Sequence, residues 1–215
     1  MQPALAPHVY AAQVDGDLVF LDARANAYFC LPRDAAAGLR VLIGDGMPPP
    51  PASGEILEEL RQAGLLLFND RPRHLAAGDL YHAPGMRARI SPFLLWRLLA
   101  AAIGAHLDLR LRRPLDWFRK IARRNARARS VPDRDRLLAF ARLARDVQPL
   151  VPATAGCLAS SLFLLHLLQG DGFRARWVFG VRTYPFEAHC WVEHDGTVLN
   201  DSLEHVRWYT PIVAF

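Results

Sequence analysis

The spacing of apolar residues changes period twice along the chain. Near the start the period is two: Val9–Val14, Leu18–Asp22 and Ala27–Leu31 read as short strands. Leu18 and Phe20 fall on one side of the pleat and Val19 and Leu21 on the other, which predicts a sheet with one face well buried. Asp15-Gly16-Asp17 is a hairpin signal of two or three residues, and Asn26 in the next connection tolerates positive φ.

The period then becomes helical. A helix is expected from the N-cap Asp34 to Ile43, stopped by Gly44 and Gly46, with Met47 to Pro51 an extended connector. Ser53 should cap a helix over Glu55–Ala63, whose Ile56, Leu57 and Leu60 share a face, followed by a strand at Leu65–Phe68. Asn69 to Gly85 has no periodicity and reads as linker. Three helices follow at Pro92–His106, Leu115–Arg129 and Asp133–Val147, and a strongly apolar one runs from Gly156-Cys157 to Gln169. After Gly170 and Gly172 the period returns to two in Arg174–Val181, Glu187–Glu193 and Val198–Asp201, with Asp195-Gly196 as a hairpin turn. The expected class is α+β: a β-then-α module over residues 1–70, a linker over 71–88, and a helices-first α+β module over 89–215.

Composition narrows the class. At 52% hydrophobic residues over 215 positions, the chain has material for a core and is not a candidate for disorder. Residues 1–17 lack the cationic-then-apolar order of a secretory signal. The most apolar run, Pro92 to Gly104, contains Arg97 and is shorter than the roughly 20 residues of a membrane span. A cytoplasmic protein with no membrane partner is therefore expected. Three cysteines, Cys30, Cys157 and Cys190, make neither a disulfide framework nor a zinc-spaced pair, so at least one thiol is free. Of the 26 basic residues, thirteen lie between Arg110 and Arg145. Such a block suits an acidic partner, and equally the solvated faces of two helices.

Cys157 stands at the expected N-terminus of a helix, where unpaired N–H groups and the macrodipole favour a thiolate and can face an oxyanion. His189 lies on a strand whose alternation puts Glu187, His189, Trp191 and Glu193 on the more polar side, so its imidazole can exchange a proton with a thiol. Asp201 follows across the hairpin and can orient that imidazole. Singly, each has a plainer reading: a core cysteine, a half-buried histidine, a turn aspartate. Together and in this order they predict thiol catalysis.

At this point the sequence resembles the lasso-peptide biosynthesis B proteins, a family of transglutaminase-like cysteine peptidases. The resemblance is carried by Cys157-Leu158-Ala159-Ser160-Ser161-Leu162, Gly172-Phe173, Gly180-Val181, Ala188-His189-Cys190-Trp191-Val192-Glu193 and Asn200-Asp201, and it covers residues 133–215. It implies a helix-plus-antiparallel-sheet domain of transglutaminase or papain type, catalytic roles for Cys157, His189 and Asp201, and removal of a leader from a ribosomal precursor peptide. It implies as partner an asparagine-synthetase-like cyclase that closes the macrolactam. The N-terminal module is similar to the winged-helix-like PqqD-like leader-recognition element. By that similarity the leader would add a strand beside Ala27, Tyr28, Phe29, Cys30 and Leu31 and pack on Ile56 and Leu60. The prolines after Met47 depart from that pattern, where a middle helix is expected. Family members are associated with ATP, but no GxxxxGK[ST] loop is present, so no cofactor is predicted.

Two other functions fit parts of this pattern. The same three residues support acyl transfer to an amine. A winged-helix nucleic-acid binder would use the arginine block, but that block lies outside the winged module and lacks an adjoining base-reading face. No metal is expected: His189, Cys190, His194 and Asp195 alternate between strand faces and would not converge.

Overall fold

The computed structural model describes residues 4–36, 39, 54–63, 65–67, 92–127, 134–151 and 155–215. The chain divides into two compact units, one formed by residues 1–77, 180–188 and 210–213, the other by 78–179, 189–209 and 214–215.

In the first unit, β1 (Ala4–Leu5), β2 (Val9–Val14), β3 (Asp17–Asp22) and β4 (Ala27–Leu31) precede α1 (Arg33–Ala36), α2 (Gly54–Gln62) and β5 (Leu66–Leu67). Strands β2, β3 and β4 form an antiparallel sheet in that order, and β1 pairs with β5. Val14 opposes Asp17, so the first hairpin has a two-residue turn, with Asp15 at φ 51° and Gly16 at φ 99°. Both values suit the right-handed twist of a tight hairpin. Asn26 has positive φ as its residue type suggested. The central strand departs from expectation: all six residues of β3 are buried, so both faces are covered, not one. Leu18 and Phe20 pack with Val9, Ala36, Leu39, Leu60 and Leu65. Asp17, also buried, accepts from the Arg33 N–H at 2.9 Å and so satisfies a first-turn donor of α1. The remainder of the helix expected over Asp34–Ile43, the proline connector, the Ser53 cap and the linker at Asn69–Gly85 lie outside the described residues.

The second unit contains α3 (Pro92–Leu111), α4 (Pro114–Arg127), α5 (Arg134–Val147) and α6 (Cys157–Gly170). The later elements are β6 (Arg176–Arg182), β7 (Glu187–His194), β8 (Thr197–Val198), α7 (Leu203–Val206) and β9 (Thr210–Ala214). The sheet order is β8-β7-β6-β9. Asp195-Gly196 makes the expected tight turn, with Glu193 opposite Val198. Strand β8 covers only Thr197–Val198, so the strand expected through Asp201 ends early, and α7 and β9 were not anticipated. Pro211, in β9, cannot donate to a ladder, which fits an edge strand. Alternation also misled on β7: Trp191 and Glu193, assigned to the polar side, are buried, and Glu193 pairs with Arg176 at 2.9 Å.

Helix α6 is the centre of this unit. Ala159 through Leu165 and Leu167–Leu168 are buried, so it is apolar nearly all round, as a helix enclosed by protein should be. Helix α3 extends to Leu111, beyond the expected end, and reaches 20 residues. By length and composition it could cross a membrane. One face of it carries polar ties to α6. His166 lies against Gly104 and bonds the buried Asp108 carboxylate at 2.8 Å, and Arg97 reaches the Leu167 carbonyl at 3.3 Å. Lys120 and Arg112 also pair with Asp108. Burial works against that carboxylate's charge, but Lys120 and His166 outweigh it and hold its pKa below the ordinary value.

Asn125 of α4 joins helix to sheet. Its amide donates to the Ala175 carbonyl at 2.6 Å, and its oxygen accepts from the Ala175 N–H at 3.4 Å and from Gln169 at 3.3 Å. Asn125→Ala removes the group that serves both backbone atoms of a buried residue. A loss of about 1–3 kcal/mol is expected, seen as a lower denaturant midpoint with unchanged slope. No change in midpoint would mean that water replaces the amide.

Candidate active site

Helix α6 starts at Cys157 because Gly156 turns the chain into it with φ 88° and ψ 157°. A Cβ at Gly156 would meet nothing within 4 Å, so backbone conformation, and not space, calls for glycine there. The Cys157 carbonyl accepts from Ser160 Oγ at 3.2 Å, and the apolar body of the helix fixes the first turn. Cys157 itself is half-buried.

Strand β7 brings two residues to this thiol. Cys190, through side chain and backbone, and His189, through its ring, both favour the charged form of this thiol. The hydrogen bond from the Cys190 side chain is the largest influence; burial opposes it, and His189 and the Cys190 N–H add to it, so the Cys157 pKa falls to about 4. The cost falls on Cys190, whose pKa is raised well above the ordinary value, by burial first and then by the neighbouring thiolate. Cys190 is therefore the neutral donor of the two.

Asp201 completes the arrangement at 2.5 Å from His189 Nε2, which leaves Nδ1 as the ring nitrogen for the thiol. Burial disfavours charge on His189, yet the hydrogen bonds to Asp201 and Cys157 and the charges of both prevail, raising its pKa to about 9. Asp201 is not on a strand. It sits in the bend before α7, where Ser202 caps the helix by accepting from the His205 N–H at 3.1 Å. Its carboxylate accepts from the Ser202 N–H at 2.7 Å and lies 3.0 Å from His205 Nδ1 through each oxygen. Burial raises its pKa, and these donors with His189 bring the balance below the ordinary value.

Three contributors escaped the sequence reading. Cys190 falls on the core side of the β7 pleat and is 2% exposed, but there it also meets Ser161 of α6 and acts on the Cys157 thiol. Asn200 accepts from the Val192 N–H at 2.7 Å and donates to Ser161 Oγ at 3.0 Å, tying the bend to both β7 and α6. Ser161, polar on an otherwise apolar helix and four residues after Cys157, was the available signal. His205 had none beyond its place four residues after Asp201.

The ligand atoms of His189, Asp201 and His205 lie within 4.8 Å of one another, close enough to converge on an ion. They are already joined as donors and acceptors, and the cluster is read as a hydrogen-bond chain. Of the set weighed from sequence, His194 is engaged elsewhere, with Nδ1 at 2.6 Å from the Arg174 carbonyl, and Asp195 is exposed.

The residues expected to meet a leader are less uniform. Ala27, Tyr28, Phe29, Cys30 and Leu31 form β4, at the edge of its sheet. Tyr28 makes an edge contact with Phe186 at 5.9 Å, and Phe29 and Cys30 are exposed. Ile56 packs against the first unit's core, and Leu60 is inside it. Partial desolvation and then the Asp17 carboxylate push the pKa of the Cys30 thiol up, which disfavours a thiolate there although the residue is exposed.

The family model described as the transglutaminase-like superfamily matches residues 99–214, more than half of the chain. The chain is also 46% identical over 46 residues to the microcin J25-processing protein McjB of Escherichia coli, a match spanning 21% of this chain and 22% of that protein. No solved structure matches the chain significantly.

The two opposed shifts predict a thiolate–imidazolium pair between about pH 4 and about pH 9. Alkylation of Cys157 by iodoacetamide, followed by peptide mass spectrometry, should rise with a midpoint near 4. His189→Ala removes a donor and a positive charge, so the midpoint moves up toward the ordinary thiol value and the rate at pH 6 falls more than ~10-fold. An unmoved midpoint would show that His189 does not activate the thiol.

Proposed function

The chain belongs to the transglutaminase-like superfamily, and from that premise we propose that it is a cysteine peptidase that removes the leader from a ribosomally made lasso-peptide precursor. The observation that carries this reading is the half-buried Cys157 at a helix start, joined to His189 and through it to Asp201. The similarity to a protein named for processing microcin J25 supports the substrate class.

The Cys157 thiolate attacks the scissile carbonyl carbon, and the oxyanion forms against the N–H groups opening α6. His189 gives its proton to the departing amine, which leaves with the core peptide. A thioester to the leader remains. His189, now neutral, takes a proton from water as the water attacks, and the leader departs as a free acid. Asp201 keeps the imidazole in its orientation and stabilises its charged form throughout. The freed amine then suits a separate asparagine-synthetase-like cyclase. Recognition of the leader is assigned to the PqqD-like module, by strand addition at the β4 edge with Phe29 exposed beside it.

With a cognate precursor, Cys157→Ala and His189→Ala should each abolish leader release while sparing binding measured by fluorescence anisotropy. Asp201→Asn should lower the rate by roughly 10²- to 10⁴-fold without removing it. Cleavage retained in Cys157→Ala would overturn the assignment. Leader recovered as an amide instead of a free acid would convert the peptidase into an acyltransferase.

A further inference from the structure

The bonds that hold Asp201 do not end at His189. The Tyr209 hydroxyl lies 3.4 Å from His205 Nε2, and His205 Nδ1 lies 3.0 Å from both Asp201 oxygens. A phenol donates readily to an imidazole lone pair, which leaves the proton of neutral His205 on Nδ1, aimed at the carboxylate. The three rings pack together: His189 to His205 at 4.8 Å, His189 to Tyr209 at 5.0 Å, and His205 to Tyr209 at 5.4 Å. Tyr209 is buried, so its hydroxyl is a fixed partner.

We propose that His205 is a positioning residue: its Nδ1–H, set by Tyr209, holds the Asp201 carboxylate ionised and turned toward His189. This rests on the reading of Cys157, His189 and Asp201 as the catalytic groups. A carboxylate that bonds one imidazole can rotate toward water. With the Ser202 N–H and His205 also donating, both oxygens of Asp201 are occupied and only the orientation facing His189 satisfies all three. Among the described residues, the titratable groups that act on Asp201 are His189 from β7 and His205 from α7, with Tyr209 bonded to His205 and Cys157 beyond His189.

Two readouts on the full chain test this. In precursor cleavage, His205→Ala should lower kcat about 10-fold with KM unchanged, because the loss falls on the transition state. Its acid limb should move to higher pH by roughly half a unit to one unit, since removing a donor from an ionised carboxylate raises its pKa. His205→Asn, whose amide keeps a donor, should restore most of both. The second readout, iodoacetamide alkylation of Cys157 against pH, needs no substrate, and its low-pH limb should shift and recover in the same way. If the wild-type protein cleaves no precursor but the alkylation limb behaves so, the positioning role stands and the peptidase reading falls. Acid limbs unmoved in His205→Ala, or equal losses in Ala and Asn with wild-type pH profiles, would reduce His205 to packing under α7 and overturn the proposal. Should His205→Ala fail to fold, Tyr209→Phe decides: a smaller shift in the same direction supports the proposal, and an unmoved limb overturns it.

Discussion

The Cys157 thiolate and the His189 imidazolium stabilise one another only while both stay partly out of water and within hydrogen-bond reach. Water would screen the pair, and a dry interior would neutralise it. The site lies between these limits: Cys157 is half-buried, and the His189 and Asp201 side chains are 14% and 17% exposed. Much of the second unit serves to keep one helix end against one strand at that depth. Helix α6 is enclosed nearly all round, so its first turn cannot drift. Asn200 fastens the bend carrying Asp201 to both Val192 of β7 and Ser161 of α6.

Charge inside this unit is used to set positions as much as to perform chemistry. Asp108 gathers Lys120, Arg112 and His166 from α4, from just beyond α3, and from α6. Asp171, just past α6, takes Arg97 at 2.7 Å and Arg136 at 3.2 Å, and Arg97 also covers the Phe140 ring. Part of the basic block noted in the sequence thus has internal partners. Removing one member would leave an unbalanced charge in a poorly solvated place, which is why such clusters fix geometry even when their net stabilisation is small.

What the sequence made legible follows from how local each signal is. Asp15-Gly16 and Asp195-Gly196 specify their turns within two residues, and the structure places tight hairpins at both. The helix opening at Gly156-Cys157 is marked by its own glycine and the apolar run behind it. Strand β9 is stabilised by pairing with β6, far earlier in the chain, and Pro211, its second residue, argues locally against a strand. That Asp201 lies in a bend beyond a strand that ends at Val198 depends on Ser202 capping a four-residue helix that is too short to show a period. Cys190 illustrates the limit of alternation. The pleat puts it correctly in the core, but only the packing of α6 on β7 reveals that this core abuts the half-buried Cys157 thiol.

Under the proposed thiol catalysis, the remaining chemical question is which acceptor resolves the thioester, and attacking geometry alone does not answer it. Hydrolysis and transfer to an amine share the same thiolate, the same imidazole and the same first intermediate. They differ in what the site must keep out. A transferase has to deny water access to its thioester until an amine arrives, whereas a peptidase needs water at His189 once the first product has left. Here the hydrogen bonds beyond His189 run through Asp201 and His205 to the buried Tyr209, and the His205 side chain is 49% exposed. That exposure lies on the Nε2 side of His189, behind Asp201, whereas an acceptor must arrive on the Nδ1 side that faces Cys157, so the choice between water and amine rests on what the half-buried thiol side admits.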